Sequence, residues 1–264
     1  MKVAIVYFSG TGNTYRVGEV FKEHLLSTNH EVDLINVNRQ TIKLRGYDLF
    51  IIGSPTYSKA ASKKVVDFIH EYIDDEQNKS KDFITYITHS WGEAYGHITL
   101  KKHLSKLVYN VINAQPFLMP NGFYMMNHEK NTETEIEALH RNVMEKVKNM
   151  MDAYFNSQSQ IDKKSVVKQA IFETMYKALS KSWIPNFANK YLSIDNKKCI
   201  LCKMCVRQCP NQNIKIEDSK IVFSDYCLAC AKCLNMCPQN AYRANNKTFE
   251  QYNVIQPSII SQLK

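Results

Sequence analysis

Short apolar runs and amphipathic stretches alternate along the first 155 or so residues of the chain. KVAIVYF (2–8) reads as a buried strand, and EVDLINV (31–37) alternates apolar and polar positions. DLFIIGS (48–54) is continuously apolar, as expected of a parallel strand covered on both faces. DFITYITHS (82–90) and VINAQPFLM (111–119) complete a set of five strands. Between the strands the apolar period lengthens to that of a helix. Val17, Val20, Phe21 and Leu25 fall on one side of a helix over 13–28, and Val65, Val66 and Ile69 on one side of a second. Leu100, Leu104 and Leu107 mark a third over 98–109, and Ile136, Leu139, Val143, Val147, Met150 and Tyr154 a last. Strands and helices in alternation predict a doubly wound α/β domain over 1–157, built on a five-stranded parallel sheet.

The pattern breaks at SQSQ (157–160). Beyond it, Lys163, Lys164, Lys168, Lys177 and Lys181 lie beside Phe172, Met175, Tyr176 and Leu179. This predicts an amphipathic helical connector over 158–195, ending near Pro185. Such a helix either packs between two domains or lies on a membrane surface. The rest of the chain contains a repeat. CILCKMCVRQCP (199–210) and CLACAKCLNMCP (227–238) share every cysteine spacing and the final proline. The repeat predicts a small α+β domain over 196–244, followed by a tail over 245–264.

All eight cysteines belong to this repeat. In C-x2-C-x2-C-x3-C-P the first three thiolates reach three corners of one Fe₄S₄ cube, and the fourth ligates the other cluster. The spacing therefore predicts one cluster on Cys199, Cys202, Cys205 and Cys237, and a second on Cys227, Cys230, Cys233 and Cys209. Structural zinc is the alternative, but zinc sites pair their cysteines across longer gaps. The 17 residues between Cys209 and Cys227 leave no room for a further domain. Backbone N–H groups near Pro210 and Pro238 are placed to donate to cluster sulfurs.

FSGTGNT (8–14), between the first strand and the first helix, has the make-up of a phosphate loop. It lacks the lysine that a nucleoside triphosphate requires, and it is not GxGxxG. A monophosphate needs only backbone N–H groups at a helix N-terminus and a few hydroxyls. Ser9, Thr11, Asn13 and Thr14 supply side chains, while Gly10 and Gly12 let the backbone approach. The alternative is an ordinary strand-to-helix turn capped by Asn13 or Thr14. Ligands of a doubly wound sheet bind at the carboxyl ends of its strands. Two more loops belong to that edge: SPTYSK (54–59), with Pro55, Thr56, Tyr57 and Ser58, and THSWGEAYG (88–96), with Thr88, His89, Ser90, Trp91, Gly92 and Tyr95. Tyr57, Trp91 and Tyr95 are aromatic residues suited to cover a flat ring.

These loops resemble those of the flavodoxin family, with SGTGNT as the matching motif. The resemblance implies non-covalent FMN, its phosphate in 9–14 and its isoalloxazine between loops 54–59 and 88–96. In flavodoxins a peptide of the loop after the third strand commonly turns toward the flavin, a turn that glycine eases. Residues 55–61 contain no glycine, and a left-handed residue there costs about 1–2 kcal/mol. Residues 196–244 resemble the bacterial two-[4Fe–4S] ferredoxins, which transfer single electrons. The whole chain resembles flavodoxin–ferredoxin fusion proteins of anaerobic bacteria and archaea. This implies an electron-transfer protein that passes single electrons between the two clusters and FMN. It would link a ferredoxin-like donor to a second redox partner. The alternative is an FMN-dependent reductase of a quinone, nitro or azo compound, with PNGFYMMNHEK (120–130) lidding a pocket and His89, His97 or His128 donating protons. No nicotinamide fingerprint is visible.

The formal charge of +9 raises the question of nucleic acid. Two clusters with their thiolates and a flavin phosphate would bring it to roughly +3, since bound groups count in the sum. A modest positive surface suits an acidic redox protein such as a free ferredoxin better than it suits DNA. Residues 196–264 carry ten Lys or Arg against four Asp or Glu, unlike the acidic free ferredoxins. No apolar run approaches the 18 residues or so of a membrane span. MKVAIVYF is strand-like rather than a signal peptide, which points to the cytoplasm.

Overall fold

A computed structural model of the chain describes residues 1–39, 42–124 and 129–252. Its internal contacts divide it into two compact units. The first is Met1–Ser9, Asn13–Asn121 and Asn131–Tyr176; the second is Gly10–Gly12, Gly122–Lys130 and Lys177–Lys264.

The first unit is built on a parallel sheet of β1 (Lys2–Tyr7), β2 (Glu31–Asn36), β3 (Leu49–Tyr57), β5 (Asp82–His89) and β6 (Asn110–Leu118). Two short strands join it, β4 (Ala60–Ala61) and β7 (Gln160–Ile161), so the sheet has seven strands rather than the predicted five. The order is β2-β1-β3-β5-β6-β7, with β4 folded back antiparallel on β3. Two-residue strands are too short to show an alternating pattern, which is why the sequence hides them. The β3–β4 hairpin turns on Ser58 and Lys59, at φ of 46° and 67°. Two left-handed residues in a two-residue turn suit the twist of the strands, and the conformation is reached here without glycine.

Successive strand residues face opposite sides of the sheet. Val3, Ile5, Leu49, Ile51, Ile84 and Tyr86 form one buried face with α1 (Asn13–Ser27) and α4 (Glu133–Phe155). These helices contribute Val17, Val20, Phe21 and Leu25, and Val143, Val147, Met150 and Met151. On the alternate positions Phe50 and Phe83 stack at 5.0 Å. α2 (Lys63–Phe68) continues into a π-helical turn, Ile69–Ile73, and α3 (Gly96–Lys106) buries Leu100 and Leu104. A Thr132–Glu135 capping box starts α4, which is why that helix begins sharply after the preceding loop.

Helix α5 (Val166–Lys181) lies within the predicted connector. Its first turns are tied into the first unit. Phe172 packs on Tyr95 at 5.1 Å, Glu173 pairs with Lys102 at 2.7 Å, and the Lys63 N–H donates to the Tyr176 hydroxyl at 3.1 Å. Among the described residues no helix is long and apolar enough to cross a membrane.

The second unit carries α6 (Phe187–Tyr191), β8 (Leu192–Ile194), α7 (Met204–Gln208), β9 (Ile214–Glu217), β10 (Lys220–Phe223), α8 (Lys232–Met236), β11 (Tyr242–Ala244) and β12 (Lys247–Thr248). β9 and β10 pair antiparallel, and β12-β11-β8 form a second small sheet. The sequence repeat is a backbone repeat. Leu201 and Ala229 are left-handed, at φ of 53° and 50°, and so are Lys203 and Ala231, at 63° and 54°. Each of the latter two stands immediately before a five-residue helix, α7 or α8.

Candidate functional site

The loop between β1 and α1 is fixed by buried polar contacts. Thr14 is 1% exposed, and its hydroxyl shares a 2.8 Å hydrogen bond with the hydroxyl of Thr88. The Tyr86 hydroxyl donates to the Thr14 carbonyl at 2.9 Å. Burial pushes the Tyr86 hydroxyl well above the usual phenol range, so it stays protonated and donates. Gly53 makes room for this ring: a Cβ there would stand 2.1 Å from Tyr86 Cζ. Asn13 Nδ2 donates to the Pro120 carbonyl at 2.7 Å, closing the loop from the far side. A Cβ on Gly122 would stand 2.8 Å from Thr11 Oγ1, so the segment after β6 runs against the loop at a distance only glycine allows. Ser9 and Thr14 are buried, Gly10, Thr11 and Asn13 are partly exposed and Gly12 is buried with φ of 104°. The sequence pointed to all six loop residues and Thr88. It did not point to the supports: Tyr86, Gly53, Pro120 and Gly122.

The two aromatic loops divide. Pro55, Thr56, Tyr57 and Ser58 are half-buried at the end of β3 and in the hairpin turn. Trp91 is 59% exposed and Gly92 is left-handed at φ 64°. Tyr95 is different: it is 1% exposed, packs on Phe172 and donates its hydroxyl to Glu93 at 2.9 Å. Its ring is therefore occupied in packing. Lys59 also turns to Phe172, its Nζ 4.7 Å from the ring centre.

His97 and His89 are withdrawn from solvent. His97 is fully buried beside Asp162, with Nε2 3.1 Å from its carbonyl oxygen, and burial pulls its pKa down to about 4. At neutral pH it is uncharged. His89, next to Ser90 in the loop after β5, is half-buried, and burial likewise lowers its pKa. His128 lies outside the described residues.

In the second unit the eight cysteines sort into two cavities. Cys199, Cys202, Cys205 and Cys237 line one; Cys209, Cys227, Cys230 and Cys233 line the other. Each cavity takes three cysteines from one copy of the motif and the last cysteine of the other copy. Among the described residues no three His, Cys, Asp or Glu side chains converge as ligands of a single ion; the sulfurs stand around the cavity walls. The Asn213, Ala229 and Ala241 N–H groups donate to Cys209, Cys227 and Cys237 Sγ at 3.2, 3.3 and 3.3 Å. Burial raises the Cys205 and Cys227 thiols, pushes Cys230 up to about 12 and lifts Cys233 well above the usual range. Sulfurs this desolvated need a positive core to become thiolates.

The family model described as a flavodoxin domain matches residues 4–158, more than half of the chain. The chain belongs to the flavodoxin family. A 4Fe–4S dicluster domain matches residues 198–241, so this flavodoxin is fused to an iron–sulfur domain. No curated protein matches the chain by sequence. Among solved structures, a flavodoxin from the domain Archaea is 20% identical, covering 56% of this chain and 99% of its own, with a TM-score of 0.43. The two-electron reduced flavodoxin of Megasphaera elsdenii is 21% identical, over 54% and 98%, with a TM-score of 0.39. Rubredoxin oxygen:oxidoreductase from Desulfovibrio gigas is 17% identical, over 58% of this chain and 36% of its own, with a TM-score of 0.40. The flavodoxin and dicluster domains together make the chain an electron-transfer flavo-iron–sulfur protein, with FMN as the flavin.

Proposed function

We propose that this flavodoxin passes single electrons between two [4Fe–4S] clusters and FMN, linking an acidic, ferredoxin-like donor to a second redox partner. The observation that carries the reading is the pair of four-cysteine cavities, each completed by the distal cysteine of the other motif, in a chain that also has the flavodoxin loop. When bound, FMN exchanges one or two electrons and each cluster exchanges one, which lets single-electron and paired-electron chemistry meet.

The chain's own residues hold and insulate these groups. Ser9, Gly10, Thr11, Gly12, Asn13 and Thr14 would wrap the flavin phosphate, with the positive end of α1 behind them. Tyr57, half-buried, and Trp91, largely exposed, would flank the ring, whereas Tyr95 is buried against Phe172. Cys199, Cys202, Cys205 and Cys237 would hold one cluster, and Cys227, Cys230, Cys233 and Cys209 the other. The N–H donors of Asn213, Ala229 and Ala241 stabilise charge on the ligand sulfurs.

The choice of donor rests on charge. Ten basic and four acidic side chains over 196–264 favour an acidic partner, and opposite fields speed encounter at low salt. The bimolecular rate of reduction by a purified acidic ferredoxin, followed by stopped flow, should fall as ionic strength rises. A rate that is flat or climbs with salt would reject an electrostatically steered acidic donor.

A further inference from the structure

The internal repeat extends past its prolines, and there it becomes unequal. CPNQNI (209–214) aligns with CPQNAY (237–242). The backbone keeps the symmetry. Gln212 and Asn240 are both left-handed, at φ of 52° and 43°. The Asn213 and Ala241 N–H groups donate to the sulfur four residues earlier, at 3.2 and 3.3 Å. What differs is the side chain that ends each segment. Ile214, 3% exposed, lines the cavity of Cys209, Cys227, Cys230 and Cys233. Tyr242, 2% exposed, lines the cavity of Cys199, Cys202, Cys205 and Cys237.

Isoleucine puts only carbon at the wall, whereas tyrosine adds a hydroxyl. The Tyr242 hydroxyl is fully buried and has no hydrogen-bond partner of ordinary geometry among the described residues. The sulfurs around it are those of Cys205 and Cys237 in its own cavity and, from the other cavity, Cys233; Cys205 is the one near enough to interact as an acceptor. A buried hydroxyl with no acceptor is costly, and natural proteins rarely leave one. Here the acceptor surface at hand is a sulfur-lined cavity.

We propose that the Tyr242 hydroxyl donates a hydrogen bond to the sulfurs of the cluster held by Cys199, Cys202, Cys205 and Cys237, and thereby sets that cluster at a higher potential than its partner. The inference rests on the two-cluster reading given above. An electron added to a cluster spreads onto its sulfurs, and a donor dipole stabilises the more negative form. No bond forms or breaks in this step: one electron enters the cluster and the proton stays on the tyrosine oxygen. Each cavity wall also holds a lysine and amide side chains, Lys203 and Gln239 in this one, Lys232, Asn211 and Asn213 in the other. At the position matching Tyr242 the other cavity has Ile214, which offers no donor. Electrons therefore populate the Tyr242 cluster first.

The test is an anaerobic redox titration of the full chain followed by EPR, with iron and acid-labile sulfide measured on the same sample. Eight of each per chain verify the two clusters; a lower count in wild-type protein overturns the two-cluster reading and not the role of Tyr242 alone. In the wild type two resolved one-electron midpoints are expected. Tyr242→Phe keeps the ring, which lies 6.3 Å from Phe223, and removes only the hydroxyl. The higher midpoint should move down toward the lower one, which should move less. Should this variant fail to assemble, Tyr242→Ile restores the symmetry with Ile214 and carries the same expectation. Coincident midpoints in the wild type overturn the proposal without any variant. So does a variant with both clusters present and neither midpoint moved, or both moved equally.

Discussion

Replacing Tyr86 with phenylalanine isolates the support beneath the loop between β1 and α1. The ring stays, packed near Phe21 and Phe117 at 5.5 and 5.9 Å, and only the hydroxyl is lost. That hydroxyl is fully buried and donates to the Thr14 carbonyl at 2.9 Å. A buried hydrogen bond contributes about 0.5–1.5 kcal/mol net, and an unsatisfied partner raises the loss to about 1–3 kcal/mol. Thr14 lies in the first turn of α1, so its carbonyl can keep a helical acceptor role, and a loss near 1 kcal/mol is expected. At about 2–4 °C per kcal/mol for a domain of this size, the flavodoxin unit should melt about 2–4 °C lower. If the same loss falls on the loop proposed to wrap the phosphate, FMN should bind about fivefold more weakly. Thermal melts of the apoprotein and fluorescence titration with FMN read the two effects separately. Gly53→Ala attacks the same support from the other side. Its Cβ would stand 2.1 Å from the Tyr86 ring, so it should be the more damaging change. Unchanged FMN affinity in both variants would refute the idea that Tyr86 holds the loop.

Two further outcomes follow from the same geometry. Cys209→Ala should damage the cluster of Cys227, Cys230 and Cys233 and spare that of its sequence neighbours; EPR showing the opposite loss would contradict the crossed assignment. His97 has a pKa of about 4 in the fold against 6.5 unperturbed, so the unfolded chain takes up the proton first as pH falls. The stability His97 lends is therefore present above about pH 6.5 and is lost toward pH 4, at about 1.4 kcal/mol per pH unit between those values. Denaturation midpoints from pH 7.5 to 5.5 should fall less steeply for His97→Gln than for the wild type, and equal slopes would rule this out.

The five long strands and their helices were legible because each buries a periodic apolar face. β4 and β7 were not, since two residues carry no period and their pairing is set by β3 and β6. The sorting of the cysteines into two groups can be read from the repeat, because iron–sulfur ligation would constrain both ligand type and spacing. The flavin loops were only partly so. A sequence names the aromatic residues of 88–96 but not their direction: Trp91 faces out, while Tyr95 is drawn inward by Phe172, which is 77 positions away. Tyr86 and Gly53 are paired by sheet register and leave no mark on the local pattern. Ile214 and Tyr242 could have been paired from the sequence by carrying the repeat four residues past each proline.

The proposed function requires that flavin and clusters exchange electrons within one chain. Anaerobic stopped-flow mixing of the oxidised holoprotein with limiting reductant tests it directly, with flavin and cluster absorbance followed separately. Electrons should redistribute between clusters and FMN in a first-order phase whose rate does not change with protein concentration. A rate that rises in proportion to protein concentration would mean exchange between molecules and would contradict it.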